Sequence, residues 1–210
     1  MKRGYFFTFE GIDGSGKSTQ LKRVADSLQA KGLRCLVTRE PGGTPVSERI
    51  REILLSPDNK DKIYPNTECL LYMASRAQHV CEVIAPAFHR GEIVLCDRFE
   101  QATFAYQGYG RGLDIGLLRN INQFATGGLI PDITFIFDVS VELSQERLSS
   151  SGKGRDRLES ESTQFFTKVR QGYLSAAEAN PQKIVLLDGS RNIEELTEQV
   201  LNVLYEYIGM

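Results

Sequence analysis

The sequence predicts an α/β fold in three layers (α/β/α), with a five-stranded parallel sheet between two layers of helices. One observation is that short apolar runs alternate with segments of helical periodicity along the whole chain, as they do in repeated βα units. Another is that residues 93–96 are apolar at every position, which is typical of a parallel strand covered on both faces. The predicted strands are residues 5–9, 34–38, 93–96, 133–137 and 184–187.

Helices are predicted between these strands from apolar spacing and from residues that start or stop a helix. Gly32 is a stop signal for the first helix. Asn66 and Thr67 are predicted to cap a long helix that is kinked at Pro86. The glycine-rich residues 108–112 follow no strand and are expected to have a conformational role. The predicted helices are residues 17–31, 46–55, 66–89, a segment around 103, 116–125, segments ending near 148 and at 179, and a C-terminal helix.

Composition excludes several classes of protein. The chain has 210 residues, which fits one domain over residues 1–210, and its net charge of −2 gives no general attraction to nucleic acid. The cysteines form no C-x-x-C pair, so we expect neither a disulfide framework nor a zinc site, and we expect a reducing compartment. No run of 18 apolar residues is present. We therefore expect a cytoplasmic protein with no membrane partner.

Residues 11–18, Gly-Ile-Asp-Gly-Ser-Gly-Lys-Ser, match the phosphate-binding loop (P-loop) motif G-x-x-x-x-G-K-[ST] between a strand and a helix. The glycines allow a tight curl in which backbone N–H groups point at an anion, and the following helix N-terminus adds to the field. Lys17 is expected to reach the β- and γ-phosphates, and the Ser18 hydroxyl to bind Mg²⁺. The motif predicts a nucleoside triphosphate site. Its predicted members are Gly11, Ile12, Asp13, Gly14, Ser15, Gly16, Lys17, Ser18 and Thr19.

Charged residues follow the other predicted strands. Because the carboxyl ends of parallel strands meet at one edge, Arg39-Glu40, Asp97-Arg98 and Asp138 are expected to converge there with the P-loop. Asp97 is expected near Mg²⁺, and Arg98 is expected to bind a phosphate group. A surface turn that carries an ion pair is the alternative for Asp97-Arg98.

A set of arginines in segments near that edge suggests a phosphoryl acceptor that is itself a phosphate, because arginine binds phosphate oxygens bidentately. Such an acceptor is already a nucleophile, so no catalytic base is required. His79 and His89 lie in one predicted helix away from the strand ends and are expected to be structural. Taken singly, each arginine is better explained as a solvated charge than as a ligand, and only the set is suggestive. The arginines are Arg39, Arg51, Arg76 and Arg98.

Residues 149–157 are rich in serine, glycine and basic residues, and we expect them to form a mobile lid. A closing lid could bring Lys153, Arg155 or Arg157 to the transferring phosphoryl group, as an arginine finger does. An exposed basic loop is the alternative. The lid is favoured because the P-loop holds no basic residue besides Lys17.

The ordered motifs resemble those of the bacterial thymidylate kinase family over essentially the whole chain. This resemblance implies a P-loop kinase fold with a short lid, and an ATP-dependent nucleoside monophosphate kinase that converts dTMP and ATP to dTDP and ADP in dTTP synthesis. It further implies Mg²⁺ as cofactor and a homodimer. The motifs are residues 9–19 (FEGIDGSGKST), 38–44 (TREPGGT), 97–99 (DRF), 105–108 (AYQG) and 156–159 (DRLE).

The resemblance also implies roles for residues around the sugar and the phosphates. Asp13 would accept a hydrogen bond from the deoxyribose 3′-hydroxyl. Arg39, Arg51 and Arg98 would hold the monophosphate, with Glu40 ordering them. The implied catalytic residues are Lys17, Arg98, Lys153 and Arg155, with Arg155 favoured as the lid residue, and the implied metal ligands are Ser18 and Asp97.

Around the base, Tyr72 stands where the family usually stacks a Phe on thymine. Arg76, one turn later, would bond a thymine oxygen. Thr103 and Gln107 match positions that contact the base, and Thr103 stands where the family usually has Ser or Asn. Tyr106 matches the residue that crowds the 2′ position and disfavours ribonucleotides.

Other functions remain open on the sequence. A P-loop kinase for another small acceptor, such as a different nucleotide, would not prefer dTMP in an acceptor screen. A GTP-dependent switch would need an Asn-Lys-x-Asp element, and the nearest segment, residues 59–62 (NKDK), has Lys in place of Asp and follows no strand. A nucleotide-binding module would bind ATP without acceptor-dependent turnover.

Overall fold

The computed structural model describes residues 3–150, 152 and 156–210 of the chain. These residues contain one sheet, in which every strand pair is parallel. The strand order is β2-β3-β1-β4-β5, so the first strand lies at the centre. The strands are β1 (Tyr5–Glu10), β2 (Cys35–Arg39), β3 (Ile93–Asp97), β4 (Ile133–Asp138) and β5 (Ile184–Asp188). The predicted five-stranded parallel sheet is confirmed.

Helices connect successive strands and cover both faces of the sheet. Side chains alternate between the two faces of a strand. Phe7 and Phe9 of β1 share a buried cluster with residues of the first and last helices, and Phe6 belongs to a cluster on the opposite face. The three-layer α/β/α prediction is therefore confirmed. The helices are α1 (Lys17–Ala30), α2 (Pro45–Leu55), α3 (Pro65–His79), α4 (Ala85–His89), α5 (Glu100–Thr103), α6 (Ile115–Thr126), α7 (Val141–Ser150), α8 (Thr163–Ala179) and α9 (Ile193–Ile208), with a 3₁₀ turn at Pro57–Asn59.

The long helix after residue 60 begins differently from the prediction. Tyr64 is its N-cap residue and makes no side-chain capping bond, and Pro65 is the first helical residue. Proline suits this position because N–H groups of the first turn have no partner within the helix and its φ angle is already helical. The predicted caps Asn66 and Thr67 are therefore wrong. A π-helical stretch, Val80–Ile84, joins α3 to α4.

The glycine-rich residues 108–112 are largely helical. The π-helical stretch Phe104–Gly110 continues from α5. A Cβ on Gly108 would lie 2.3 Å from Ile115 Cδ1, and one on Gly110 would lie 2.6 Å from Phe165 Cε2. These glycines allow the stretch to pack closely against α6 and α8.

No helix in the described ranges is both long enough and apolar enough to cross a membrane. The cysteines at positions 35, 69, 81 and 96 are all free thiols.

Candidate active site

The P-loop has the backbone conformation that its motif predicts. Gly11, Gly14 and Gly16 have φ angles of 139°, 75° and 90°, which favour glycine. Space is also limiting, because a Cβ on Gly11 would lie 2.5 Å from the Phe137 carbonyl oxygen and one on Gly14 would lie 2.7 Å from that of Ser144. The curvature of the loop therefore requires all three glycines, and its packing on neighbouring backbone requires Gly11 and Gly14.

Lys17 points into this site rather than into solvent. Its side chain is only 7% exposed, and Nζ lies 3.7 Å from Asp13 Oδ1. The Ser15 hydroxyl is buried and has no hydrogen-bond partner in the part of the chain that the structure describes. A buried cation and an unpartnered hydroxyl at a helix N-terminus are features that suit an anionic ligand.

The two predicted metal ligands are in contact. The Ser18 hydroxyl, in the first turn of α1, donates a hydrogen bond to Asp97 Oδ2 at the end of β3. A hydroxyl and a carboxylate are oxygen donors of the kind that Mg²⁺ prefers, and Mg²⁺ completes its coordination with water and phosphate oxygens. These two side chains therefore fit the predicted cofactor. Among the described residues no group of three His, Cys, Asp or Glu side chains is arranged to hold a metal.

Another cation touches the P-loop from elsewhere in the chain. Arg147 in the last turn of α7 donates through Nη1 to the carbonyl oxygens of Gly14 and Gly189, each at 3.1 Å. Asp138 also lies at this edge, but Arg170 of α8 binds both of its carboxylate oxygens at 2.7 and 2.8 Å. Arg147 adds positive charge beside the P-loop, whereas the charge of Asp138 is balanced by Arg170.

A cavity opens beside the P-loop, and we call it the arginine cavity because three arginines line it. The structure brings together at this cavity every predicted substrate residue except Arg39. Those residues are Asp13, Glu40, Arg51, Tyr72, Arg76, Arg98, Thr103, Tyr106 and Gln107. The lining residues to which the sequence analysis gave no individual role are Pro41, Leu55, Phe99, Ala102, Asp156 and Leu158.

Arg39 is held away from the cavity by a neighbouring carboxylate. Its Nη1 and Nη2 donate to the two oxygens of Glu48 at 2.8 and 3.0 Å. Glu48 is fixed in turn by the Gly43 N–H at 2.8 Å. Arg51, by contrast, lines the cavity and donates to the Pro41 carbonyl oxygen at 2.8 Å.

Arg98 is at the junction of the P-loop and the arginine cavity. Its backbone has a φ angle of 67°, in the left-handed region that residues other than glycine rarely adopt. Nη2 donates to Asp13 Oδ1 at 2.5 Å and to the Tyr106 hydroxyl at 3.2 Å. Tyr106 donates to the other Asp13 oxygen at 3.1 Å. Asp13 thus pairs with both Lys17 and Arg98 through the same oxygen, Oδ1.

Burial and charge act against each other on two carboxyl groups here. Burial opposes ionisation of Asp13, but the positive charges of Arg98 and Lys17 hold its pKa well below the usual range. At Glu10 burial prevails and raises the pKa to about 7, although Arg98 opposes the shift. Asp13 is therefore an ionised acceptor at physiological pH, whereas Glu10 exchanges a proton near neutrality.

Glu40 at the end of β2 binds two side chains of α3, not the three arginines that it was expected to order. Arg76 Nε donates to Oε2 at 2.7 Å, and His79 Nδ1 lies 3.0 Å from Oε1. The other ring nitrogen of His79 lies 2.6 Å from Thr38 Oγ1. The prediction that His79 lies away from the strand ends is wrong, because α3 packs beside β2. His89 bonds within its own helix, to the Ala85 carbonyl oxygen.

Arg76 retains donor capacity toward the cavity. Besides Glu40 it donates to Thr103 Oγ1 at 2.9 Å, Asn122 Oδ1 at 2.8 Å and the Phe99 carbonyl oxygen at 2.8 Å. These bonds use four of the five N–H groups of the guanidinium. Among the described residues the remaining N–H, on Nη2, has no oxygen partner.

A further carboxylate, Glu68 of α3, gathers three side chains. Glu68 is fully buried. It accepts Gln107 Nε2 at 2.9 Å and Arg111 Nε and Nη2 at 3.2 and 3.1 Å. Arg157 Nη2 forms an ion pair with it at 2.6 Å. We call these four residues the Glu68 cluster. The cluster ties Gln107 of the arginine cavity to the DRLE segment at residues 156–159.

Arg157 is therefore not a mobile lid residue. Its side chain is 4% exposed, and its Nε donates to the Leu54 carbonyl oxygen at 2.6 Å. The prediction that Arg157 could reach a nucleotide is wrong, because the residue anchors its segment to α2 and α3. Lys153 and Arg155 lie outside the described residues, and their catalytic role stays a prediction.

Two residues of the site, Glu10 and Tyr173, were assigned no role in the sequence analysis. Glu10 carried a signal in the sequence that was not used, whereas Tyr173 carried none. Glu10 ends a buried central strand whose only other polar residue with a side-chain hydrogen-bonding group in its interior is Thr8, and a carboxylate in that position needs buried partners. Tyr173, on α8, reaches Arg98 and Glu10 from a distant part of the chain. Nothing in the spacing of residues 163–179 distinguishes Tyr173 from an ordinary core tyrosine.

Comparison with known proteins agrees with this geometry. A family model described as Thymidylate kinase matches residues 9–200. A thymidylate kinase of Pelotomaculum thermopropionicum is 48% identical over 189 residues, covering 90% of this chain and 87% of its own. The thymidylate kinase of an Exiguobacterium species is 47% identical over 203 residues, covering 97% of this chain and 95% of its own. That of Geobacter sulfurreducens is 47% identical over 206 residues, covering 96% of each chain. The match spans the P-loop, the arginine cavity and the DRLE segment.

Proposed function

The chain belongs to the thymidylate kinase family, and from this we propose that it transfers a phosphoryl group from ATP to dTMP, giving dTDP and ADP for dTTP synthesis. The observation that carries the proposal is that Asp13 bridges a P-loop lysine and an arginine of the adjoining cavity. A triphosphate on the P-loop and a nucleotide in the cavity would thus meet at one carboxylate. This is the arrangement that transfer between two nucleotides requires.

On the donor side, we assign the triphosphate to residues 11–19 and Mg²⁺ to Ser18 and Asp97. Bound Mg²⁺ would neutralise charge on the phosphate oxygens of ATP. Lys17 supplies a fixed positive charge at the same phosphates, and Arg147 supplies another behind the loop. A lid cation, Arg155 in preference to Lys153, would complete the charge balance.

On the acceptor side, Arg98 and Arg51 are the proposed phosphate ligands. Both line the cavity, and each keeps N–H groups for the bidentate binding that phosphate favours. Arg39 would join them only after leaving Glu48. Asp13, which stays ionised, is suited to accept the 3′-hydroxyl of the deoxyribose.

For the base, the free N–H of Arg76 supports recognition of a thymine oxygen. Thr103 and Gln107 line the same part of the cavity, and Tyr72 offers a ring for stacking. Tyr106 is fixed by Asp13 and Arg98, which suits a residue that limits space at the 2′ position. The acceptor oxygen is already anionic, so transfer depends on alignment and charge stabilisation and needs no general base.

Release of ADP from ATP and Mg²⁺, with and without acceptors, tests this function. We expect strong stimulation by dTMP and much weaker stimulation by dUMP, dCMP, dGMP or AMP. ADP release that is equal with and without acceptor would instead make the protein an ATPase or a switch. Stimulation by another nucleotide in preference to dTMP would keep the phosphoryl transfer but overturn the assignment of the base site.

We further propose that the chain is a cytoplasmic homodimer. Leu117 and Phe124 lie seven residues apart on one face of α6 and are 55% and 89% exposed, and Leu70 of the contacting α3 is 58% exposed. Exposed apolar patches of this kind mark interfaces. Sedimentation should give a dimer for the wild type and a monomer for Phe124→Asp. A monomeric wild type at micromolar concentration would contradict the proposal.

A further inference from the structure

Arg98 has a backbone conformation that its own chemistry does not favour. Its positive φ angle brings Cβ close to the carbonyl group, so neighbouring bonds have to hold the residue in place. One of these is the bond from its own N–H to the Phe9 carbonyl oxygen at 2.9 Å. The other contacts involve Glu10, the last residue of β1.

Glu10 accepts hydrogen bonds from two groups next to Arg98, one on the backbone and one on a neighbouring side chain. Its Oε1 accepts the N–H of Phe99, the next residue in the chain, at 2.7 Å. Its Oε2 accepts the Tyr173 hydroxyl at 3.1 Å. Glu10 is fully buried and lines neither the P-loop nor the arginine cavity, so nothing in the proposed reaction requires a carboxylate there.

Tyr173 completes the connection to the guanidinium. It is 2% exposed. Its hydroxyl proton is directed to Glu10, which leaves an oxygen lone pair facing Arg98 Nη1 at 3.3 Å. Nη1 of Arg98 is thus held by a neutral hydroxyl alone, whereas Nη2 is held by the carboxylate of Asp13 as well as by the Tyr106 hydroxyl.

This difference matters for a residue that has to receive an anion. A carboxylate partner orients a guanidinium but also cancels its charge, whereas a neutral hydroxyl orients it and leaves the charge available. We propose that Glu10 and Tyr173 are positioning residues, which set the direction of the Arg98 guanidinium toward the acceptor phosphate before the nucleotide binds. The inference rests on the proposed function of Arg98 as a ligand of that phosphate.

Preorganisation of this kind stabilises the complex by reducing the freedom that Arg98 loses on binding. Tyr173→Phe removes the hydroxyl and keeps the ring among its neighbours Tyr106 and Ala177. Of the two hydrogen bonds lost, the one that orients Arg98 predicts a dTMP Kd raised by about 3- to 10-fold. Thymidine, which lacks the phosphate, should bind the variant and the wild type within about twofold.

Calorimetry with dTMP and with thymidine, without ATP and at a pH well above 7 so that Glu10 is ionised, measures both quantities. Glu10→Gln is the second variant, because an amide oxygen still accepts the Phe99 N–H while the amide nitrogen cannot accept the Tyr173 proton. The matched control is Tyr207→Phe, whose hydroxyl also donates to a carboxylate, that of Asp132, at 3.2 Å. The control should leave the Kd of both ligands unchanged.

Repeating Tyr173→Phe in an Arg98→Ala background separates positioning from a general structural role. Arg98→Ala alone should raise the dTMP Kd by about 10- to 100-fold, as loss of a charged hydrogen-bonding group does. In that background the second substitution should add less than about twofold, because coupled residues are not additive. An undiminished effect, or equal losses for dTMP and thymidine, would overturn the inference. Absence of dTMP binding to the wild type would instead overturn the proposed function.

Discussion

Replacing Lys17 by alanine should lower kcat by about 10²–10³-fold or more, the loss that follows removal of one preorganised donor at a developing charge. The ammonium group is buried beside the phosphate-binding loop and has no other protein partner than Asp13 among the described residues. Asp13 keeps Arg98 as a partner in the variant, so we expect the fold to be retained. Steady-state ADP release with saturating dTMP measures the effect.

Lys22→Ala is the control, because Lys22 is an exposed lysine of the same helix. It should change kcat by less than about twofold, as substitutions at exposed sites away from functional groups usually do. Unimpaired turnover in the Lys17 variant, with a normal melting temperature, would show that the P-loop lysine takes no part in the proposed reaction.

Replacing Glu68 by alanine should lower the free energy of unfolding by roughly 3–5 kcal/mol, the loss typical of breaking a buried ion pair from one side. The substitution leaves Arg157 buried without its carboxylate and takes the partner from Gln107. Urea unfolding followed by two spectroscopic probes measures it.

The matched control removes an outer partner of Arg111, the other arginine that Glu68 binds. Glu161 binds Arg111 Nη1 at 2.7 Å and is 28% exposed. Glu161→Ala should cost no more than about 1 kcal/mol, because partly exposed pairs contribute little. Equal losses in the two variants would show that the burial of Glu68 adds nothing.

Lowering the pH should weaken the interaction of Glu68 with its buried partners. Burial opposes ionisation of Glu68, but Arg111 and Gln107 hold its pKa below the usual value of 4.5. A carboxyl group whose pKa is lower in the folded state stabilises the fold above its unfolded pKa. This contribution is complete at neutral pH and is lost as pH falls below about 4.5.

The sequence predicts well those residues whose chemistry is set by neighbours along the chain. The P-loop glycines belong to a motif in which spacing and backbone conformation are inseparable. Asp97 and Arg98 follow a strand so apolar that its place in the sheet, and hence the edge to which they belong, is determined. These parts of the site can be predicted without knowing how the helices and strands pack.

Residues whose role depends on a distant partner could not be predicted in the same way. Arg39 has the right type and position, but Glu48 holds it outside the cavity. Arg157 lies in a basic, polar stretch, yet a carboxylate on α3 binds it in the interior. Tyr173 reaches Glu10 across 163 residues of sequence. In each case a single pairing between separate elements decides the outcome, and local composition does not encode it.

Asp13 is the common counter-ion of Lys17 and Arg98, so its single negative charge is divided between them. In the proposed function the lysine would face the donor and the arginine the acceptor. A phosphate that draws one of these cations away leaves more of that charge to the other, so occupation of one pocket changes the field in its neighbour. Thermodynamic linkage makes this influence mutual, because the factor by which ATP alters the affinity for dTMP equals the factor by which dTMP alters the affinity for ATP. In the proposed function, any cooperativity between the two substrates would thus act through one carboxylate of this chain.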